Sequence, residues 1–565
     1  MRWVLVFLLL LPTVSALEGN IPLLAVSETA DGLHGSFASL SLEVREGKGR
    51  VFLETNPVTK VDTQISMRFA QQIACSEAGI DCSEFDFIYT VRAESGIVGG
   101  PSAGAPATAL TYGLLMDEDL RDDVAITGTI NSGGLIGTVG GLREKISAAA
   151  SQNMSAVLIP EGSRYAEINN LTLDLVAYGA ELDVIVVEVS SFDDVLYALT
   201  GKKKVQGDLE INVDPEYSSM MGDVATELCS RSSQLRDVFY ESRPVNLNES
   251  HLRLENATSD LHRKGIDAMS VKDYYSAASF CFRTGVNYAS LHFGTQNLTQ
   301  KEVDTRVKLL RDGVKRFRSA IKSQDIDTIT ELQSSIVVLD RLAESEEYIN
   351  LIRQRRGEDV SFLLSFATER LHSASSWSTF FSLPGTEWEV DESKLALSCT
   401  RKIQEAQERY QYVQFYLPNS IGAVRNNIED AMQYQKAGDY ALCLFTAAQA
   451  KAESNVIVGV IGASSEHLDS ILDRKLEAVH KVIAKSQQKG FFPIIGYSYY
   501  QYADSLKDHD RSSALLFSEY ALELSSLDLY FPQTTVKGYE IEPEMWFIFL
   551  LGVIVGSAVF ALLKR

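Results

Sequence analysis

Short apolar runs of strand length recur through the first third of the chain, at Pro22–Val26, Phe37–Val44, Val51–Glu54, Phe85–Val91, Val124–Thr129, Ala156–Ile159 and Val184–Val189. Amphipathic stretches of helical length separate them, at about 61–78, 102–116, 141–152 and 191–200. This interleaving is a compact α/β pattern over 21–205, within a domain bounded at 17–205 and classed as α+β. Beyond about residue 206 the strand signals fade. Residues 218–240, 258–290, 300–325, 328–352, 360–373, 389–415, 420–435, 439–452, 464–488 and 496–527 read as helices, so 206–531 is expected to be an all-α region.

Three segments of this region share a short theme. Asp273-Tyr274-Tyr275, Asp439-Tyr440-Ala441 and Asp510-Arg511-Ser512 each follow a turn and lead into small and aromatic residues. The theme resembles the second helix of tetratricopeptide hairpins. Its starts are 166 and 71 residues apart, so no regular 34-residue array is present. An irregular helical bundle and a groove for protein partners both fit this pattern.

The two ends differ in kind. Arg2, the apolar core Val4–Leu11 and the small residues Val14-Ser15-Ala16 read as a signal peptide over 1–16, too short to span a bilayer. Met545–Leu563 is an uncharged run about 28 Å long as a helix, with Trp546 at one end and Lys564-Arg565 at the other. This predicts one transmembrane helix over 545–563, a juxtamembrane linker over 532–544 and a cytoplasmic tail of 564–565. The bulk of the chain is then extracytoplasmic, held at the cell membrane by a single pass. Gly552-x-x-x-Gly556 in that run offers a route to a homo-oligomer.

Composition narrows the partners. The chain has 565 residues, enough for two to four domains, and a net charge of −23, which argues against nucleic acid and against docking on anionic lipid. None of its six cysteines forms a CxxC pattern. In an exported chain Cys75 and Cys82 are close enough to bridge, while the other four fit buried thiols equally well. The sequence contains neither G-x-x-x-x-G-K-[ST] nor H-E-x-x-H, and implies no cofactor or metal.

The chemistry concentrates in two short segments. Ser102 stands in Gly100-Pro101-Ser102-Ala103-Gly104, and Lys145 ends Gly140-Gly141-Leu142-Arg143-Glu144-Lys145, 43 positions downstream. A serine hydroxyl needs a base, and a lysine serves only if its amine is neutral near pH 7. Lys145 falls in the first turn of a predicted helix, whose positive end disfavours an ammonium. Burial beside Ser102 would add desolvation. Gly100-x-Ser102-x-Gly104 also fits a nucleophile elbow, but the preceding segment is a poor strand and the His partner would have to come from beyond residue 250.

With Thr127-Gly128 between them and Val157-Leu158-Ile159-Pro160 beyond, these segments resemble the proteolytic domain of the Lon protease family over roughly residues 20–205. The resemblance is to signal-peptide-bearing, membrane-anchored Lon-like proteases of archaea that lack the ATPase module. It implies Ser102 as nucleophile and Lys145 as general base, with a direct approach between Oγ and Nζ. It also implies that Thr127 orients the lysine. Gly100, Pro101, Ala103 and Gly104 would form a turn whose backbone N–H groups stabilise an oxyanion. The chain departs from the family pattern at Gly99 and Thr129, where an Asp and a Glu are common, and carries Pro106 early in the nucleophile helix. The expected activity is ATP-independent hydrolysis of peptides or unfolded proteins. The alternative is a catalytically inactive surface scaffold whose helical region binds protein partners.

Overall fold

The computed structural model describes residues 17–525 apart from 30–31, 57, 60, 94–99, 169–170, 204–209, 297, 356, 386, 388–390, 418–421, 461–467, 489 and 491. The expected signal peptide, linker, transmembrane helix and tail, and Gly99, lie outside the described residues. Among the described residues no helix is long and apolar enough to cross a membrane.

Strands run in chain order as β1 (Leu17–Thr29), β2 (Gly32–Glu46), β3 (Val51–Asn56), β4 (Phe85–Ala93), β5 (Val124–Ile126), β6 (Thr129–Ile130), β7 (Ile136–Gly137), β8 (Ala156–Pro160), β9 (Tyr165–Ile168), β10 (Leu171–Asp174) and β11 (Ile185–Val189). Between them lie α1 (Val61–Ala78), α2 (Gly104–Met116), α3 (Leu142–Ser151), α4 (Leu175–Glu181) and α5 (Phe192–Thr200). Seven strands form one mixed sheet in the order β11-β8-β5-β1-β2-β4-β3. Its β11-β8-β5-β1 half is parallel, and β2 pairs antiparallel with both β1 and β4.

The period-2 alternation of the central strands builds three layers. Leu23, Ile126 and Leu158 share one register row and pack with Leu110 of α2 and Phe192 and Val195 of α5. Their neighbours Leu24, Ala125, Val157 and Ile159 pack in a second core with Leu142 and Ile146 of α3 and Leu175 of α4. Each Leu, Ile, Val or Phe side chain so buried contributes roughly 1.5–3 kcal/mol.

The helical region comprises α6 (Pro215–Glu241), α7 (Glu249–Ser270), α8 (Tyr274–Thr295), α9 (Gln300–Lys322), α10 (Ile329–Gln354), α11 (Ser361–Trp377), α12 (Glu392–Tyr416), α13 (Gly422–Ala437), α14 (Tyr440–Val460), α15 (Leu468–Gln488), α16 (Ile494–Leu506) and α17 (Arg511–Ser525). An α+β domain followed by an all-helical region is as expected. The three theme segments open α8, α14 and α17, and each of these helices packs on the one before it.

Several boundaries differ from the sequence reading. The stretch 258–290 is two helices, because Lys272 turns at φ +62° and the Asp273 carboxylate accepts the Ser276 N–H as an N-cap. The stretch 496–527 divides in the same way, with Asp510 accepting from Ser513 N–H at 3.1 Å. The run Val124–Thr129 is not one strand: β5 ends at Ile126 and β6 begins at Thr129. The β9–β10 hairpin and α4 were not anticipated.

All six cysteines are paired. Cys75, in the last turn of α1, bridges to Cys82 just beyond it, the pairing expected, and the four cysteines left open form Cys229–Cys281, joining α6 to α8, and Cys399–Cys443, joining α12 to α14.

The two regions pack closely. Ile65 of α1 shares a core with Ala406, Tyr412 and Val413 of α12. The Arg409 guanidinium sits 3.4 Å above the centre of the Phe69 ring, a cation–π contact with both groups buried. Ion pairs Arg474–Glu161 (2.5 Å), Lys481–Asp193 (3.4 Å) and Lys485–Glu77 (3.4 Å) run from α15 to the α+β domain.

Candidate active site

Ser102 lies in a single 3₁₀ turn, Pro101–Ala103, that leads straight into α2. Gly100 enters the turn at φ +122°, ψ 154°, a backbone conformation that a residue with a Cβ rarely adopts. Pro101 opens the turn, where its missing N–H costs nothing. Pro106 is the third residue of α2, where an N–H would have no partner inside the helix. Ser102 is half-buried, so its hydroxyl stands at the boundary between core and solvent.

Lys145 is the fourth residue of α3, and its N–H donates to Gly141 O at 3.0 Å. The side chain is only 4% exposed. Burial lowers its ammonium from the ordinary 10.5 to about 8. Gly35 of β2 lets α3 come this close to the sheet: a Cβ there would lie 1.9 Å from the Glu144 carbonyl oxygen, one residue from Lys145.

Thr127 and Gly128, the break between β5 and β6, join the two segments. Thr127 N–H extends the β5–β8 pairing by donating to Leu158 O at 3.0 Å. The fully buried Thr127 Oγ1 accepts from Lys145 Nζ at 2.9 Å. Gly128 N–H then donates to Ser102 O at 3.2 Å, and Ala105 N–H donates to Gly128 O at 3.1 Å. Two consecutive residues thus hold the lysine by a side chain and the serine turn by the backbone. The hydrogen bond that Lys145 makes is to Thr127 rather than to Ser102, so the two expected dyad members are linked through Thr127-Gly128.

The turn residues divide by role. Gly104 N–H donates to Pro101 O and Ala105 N–H to Gly128 O, so both are engaged within the protein. Thr129 is buried and accepts from Asn131 Nδ2 at 3.4 Å. Among the described residues no group of three His, Cys, Asp or Glu side chains stands ready to hold a metal.

Sequence reasoning missed Gly35, Ser132, Lys475 and Glu519. Ser132 Oγ donates to Glu519 Oε2 at 2.6 Å, and Glu519 pairs with Lys475. A signal existed for the last of these, since Glu519 interrupts the apolar run Ala514-Leu515-Leu516-Phe517 and Tyr520-Ala521-Leu522.

Comparison with known proteins locates the same region. A family model described as the Lon protease (S16) C-terminal proteolytic domain matches residues 40–200. A Lon protease of Paraburkholderia phytofirmans is 35% identical over 119 residues, covering 20% of this chain and 15% of the relative. One of Phenylobacterium zucineum is 30% identical over 157 residues, 27% of this chain and 20% of the relative. Lon protease 2 of Herpetosiphon aurantiacus is 29% identical over 167 residues, 29% and 20% respectively. The chain therefore spans a fifth or less of these relatives' length. Ser102, Thr127 and Lys145 all fall inside residues 40–200, the segment similar to the Lon protease (S16) C-terminal proteolytic domain.

Proposed function

We propose that the chain is a membrane-anchored, ATP-independent serine endopeptidase of Lon type that cleaves peptides or unfolded segments outside the cytoplasm. The observation that carries this reading is the buried Lys145 amine, held by Thr127 next to the residue that holds the Ser102 turn. Neutral Lys145 takes the Ser102 proton as Oγ attacks the scissile carbonyl carbon. The tetrahedral oxyanion is met by N–H groups of the turn at Ser102 and Ala103, since those of Gly104 and Ala105 are committed elsewhere. The C–N bond breaks as the Lys145 ammonium returns its proton to the leaving amine. Water, deprotonated by the same lysine, then releases the acyl group from Ser102.

Three disulfides with no free thiol support an oxidising compartment. The apolar run Met545–Leu563 supports the anchor. The missing nucleotide-binding motif supports substrates that need no unfolding, with the tetratricopeptide-like helix pairs as a surface for partners or substrate. The test is cleavage of an unstructured, fluorescently labelled casein by the full chain in detergent without nucleotide. Wild type should cut and Ser102→Ala should not. Equal rates for the two would overturn the reading. Protease added to intact cells, after removal of any wall layer, should digest the α+β domain; full protection would reverse the topology.

A further inference from the structure

The loop Asn131–Leu135 joins β6 to β7 and is separated from Thr127-Gly128 only by the two residues of β6. It is closed by Asn131 N–H to Leu135 O at 2.8 Å, and Ile136 N–H anchors it to Ser190 O at 2.9 Å. The helical region grips this loop from the other side. Glu519 of α17 accepts the Ser132 hydroxyl at 2.6 Å and is ion-paired with Lys475 of α15. The pair is taken wholly out of water, with side chains 0% and 1% exposed. Gly133 leaves no slack, since a Cβ there would lie 2.8 Å from Ala478 Cβ of α15.

A buried ion pair is a poor way to gain stability, because apolar residues of similar volume serve as well or better. What it supplies is direction. The neighbouring interface is open and polar: a cavity of about 190 Å³ lies beside the loop, lined by Glu77, Asp193, Arg474, Glu477, Lys481 and Lys485. At Ser132 a charge from the helical region that is wholly out of water meets the loop that follows β6.

We propose that Glu519, fixed by Lys475, is a positioning residue: through Ser132 it sets the loop that follows β6, and with it the placement of Thr127 and Ser102 against Lys145. This rests on the peptidase reading above. The helical region is then part of the catalytic unit, although it touches neither Ser102 nor Lys145 through this contact.

The experiment assays the full chain in detergent on unstructured casein from about pH 6 to about 10, comparing wild type, Ser102→Ala, Ser132→Ala and Glu519→Gln, with thermal unfolding of each. A loosened loop should lower kcat about tenfold with KM within about twofold. It should also move the rising limb of kcat/KM to higher pH, because water reaches Lys145, whose amine is displaced by burial with no charged group contributing. A merely structural role would lower the melting temperature and leave the limb in place. If Glu519→Gln fails to fold, Ser132→Ala decides, since it leaves the Glu519–Lys475 pair intact. An inert Ser102→Ala beside a Ser132→Ala with wild-type kcat and limb overturns the positioning inference alone. Equal activity of wild type and Ser102→Ala overturns the peptidase reading and this inference with it.

Discussion

Lys145 Nζ donates to Thr127 Oγ1 at 2.9 Å, while the next residue's N–H holds the Ser102 carbonyl at 3.2 Å. A single dipeptide at the end of a central strand therefore links the Ser102 turn to Lys145. The sheet fixes that dipeptide through Leu158, so serine and lysine, 43 positions apart, are set by the most buried part of the domain.

Lys145 can act as a base only when neutral. With its amine at about 8, kcat/KM should rise about tenfold per pH unit below about pH 8 and level off above it. A flat profile between about pH 6 and about 10 would count against the mechanism. The same burial has a sign for stability. The folded value lies below the ordinary 10.5, so the unfolded chain binds the extra proton and stability rises with pH between about 8 and 10.5. Below about pH 8 the full cost applies, on the order of 3 kcal/mol. Lys145→Met should therefore be inactive yet melt at a higher temperature than wild type at neutral pH. A lower melting temperature would contradict this.

Thr127→Val keeps the shape of the side chain and removes the acceptor of the Lys145 hydrogen bond. A buried donor left unmet costs about 1–3 kcal/mol, and the amine is no longer held. Steady-state kinetics should show kcat down at least about tenfold with KM little changed, and Thr127→Ser should restore most of it. Full activity in Thr127→Val would remove Thr127 from the site.

Much of this was legible before any coordinates. The seven strand signals mark the seven strands of the main sheet, six of which bury apolar residues while the edge strand β3 buries none, and Ser102, Thr127 and Lys145 were readable from local motifs. The Thr127-Gly128 break was hidden, since an apolar run does not reveal where its backbone turns to serve another segment. Cys229–Cys281 and Cys399–Cys443 were hidden because six cysteines allow 15 pairings. The Ser132–Glu519 contact spans 387 residues. Helical periodicity shows which face of α17 is buried but not what it meets.

The disulfides carry their own prediction. Loops of 52 and 44 residues closed by Cys229–Cys281 and Cys399–Cys443 should each contribute about 4 kcal/mol, and the 7-residue loop of Cys75–Cys82 about 2. Peptide mapping without reductant should recover these three pairs and no free thiol, and reductant should lower the Tm sharply. Six free thiols in protein taken from its native compartment would contradict both the pairing and an oxidising location.

The central claim is that Ser102 is a nucleophile activated by Lys145. Mass spectrometry of the full chain after treatment with a fluorophosphonate probe tests it most directly. The account predicts a covalent adduct on Ser102, formed faster as pH rises through about 8 and absent in Lys145→Met. No adduct on Ser102 in a preparation that cleaves casein, or labelling of Lys145→Met at the wild-type rate, would contradict it.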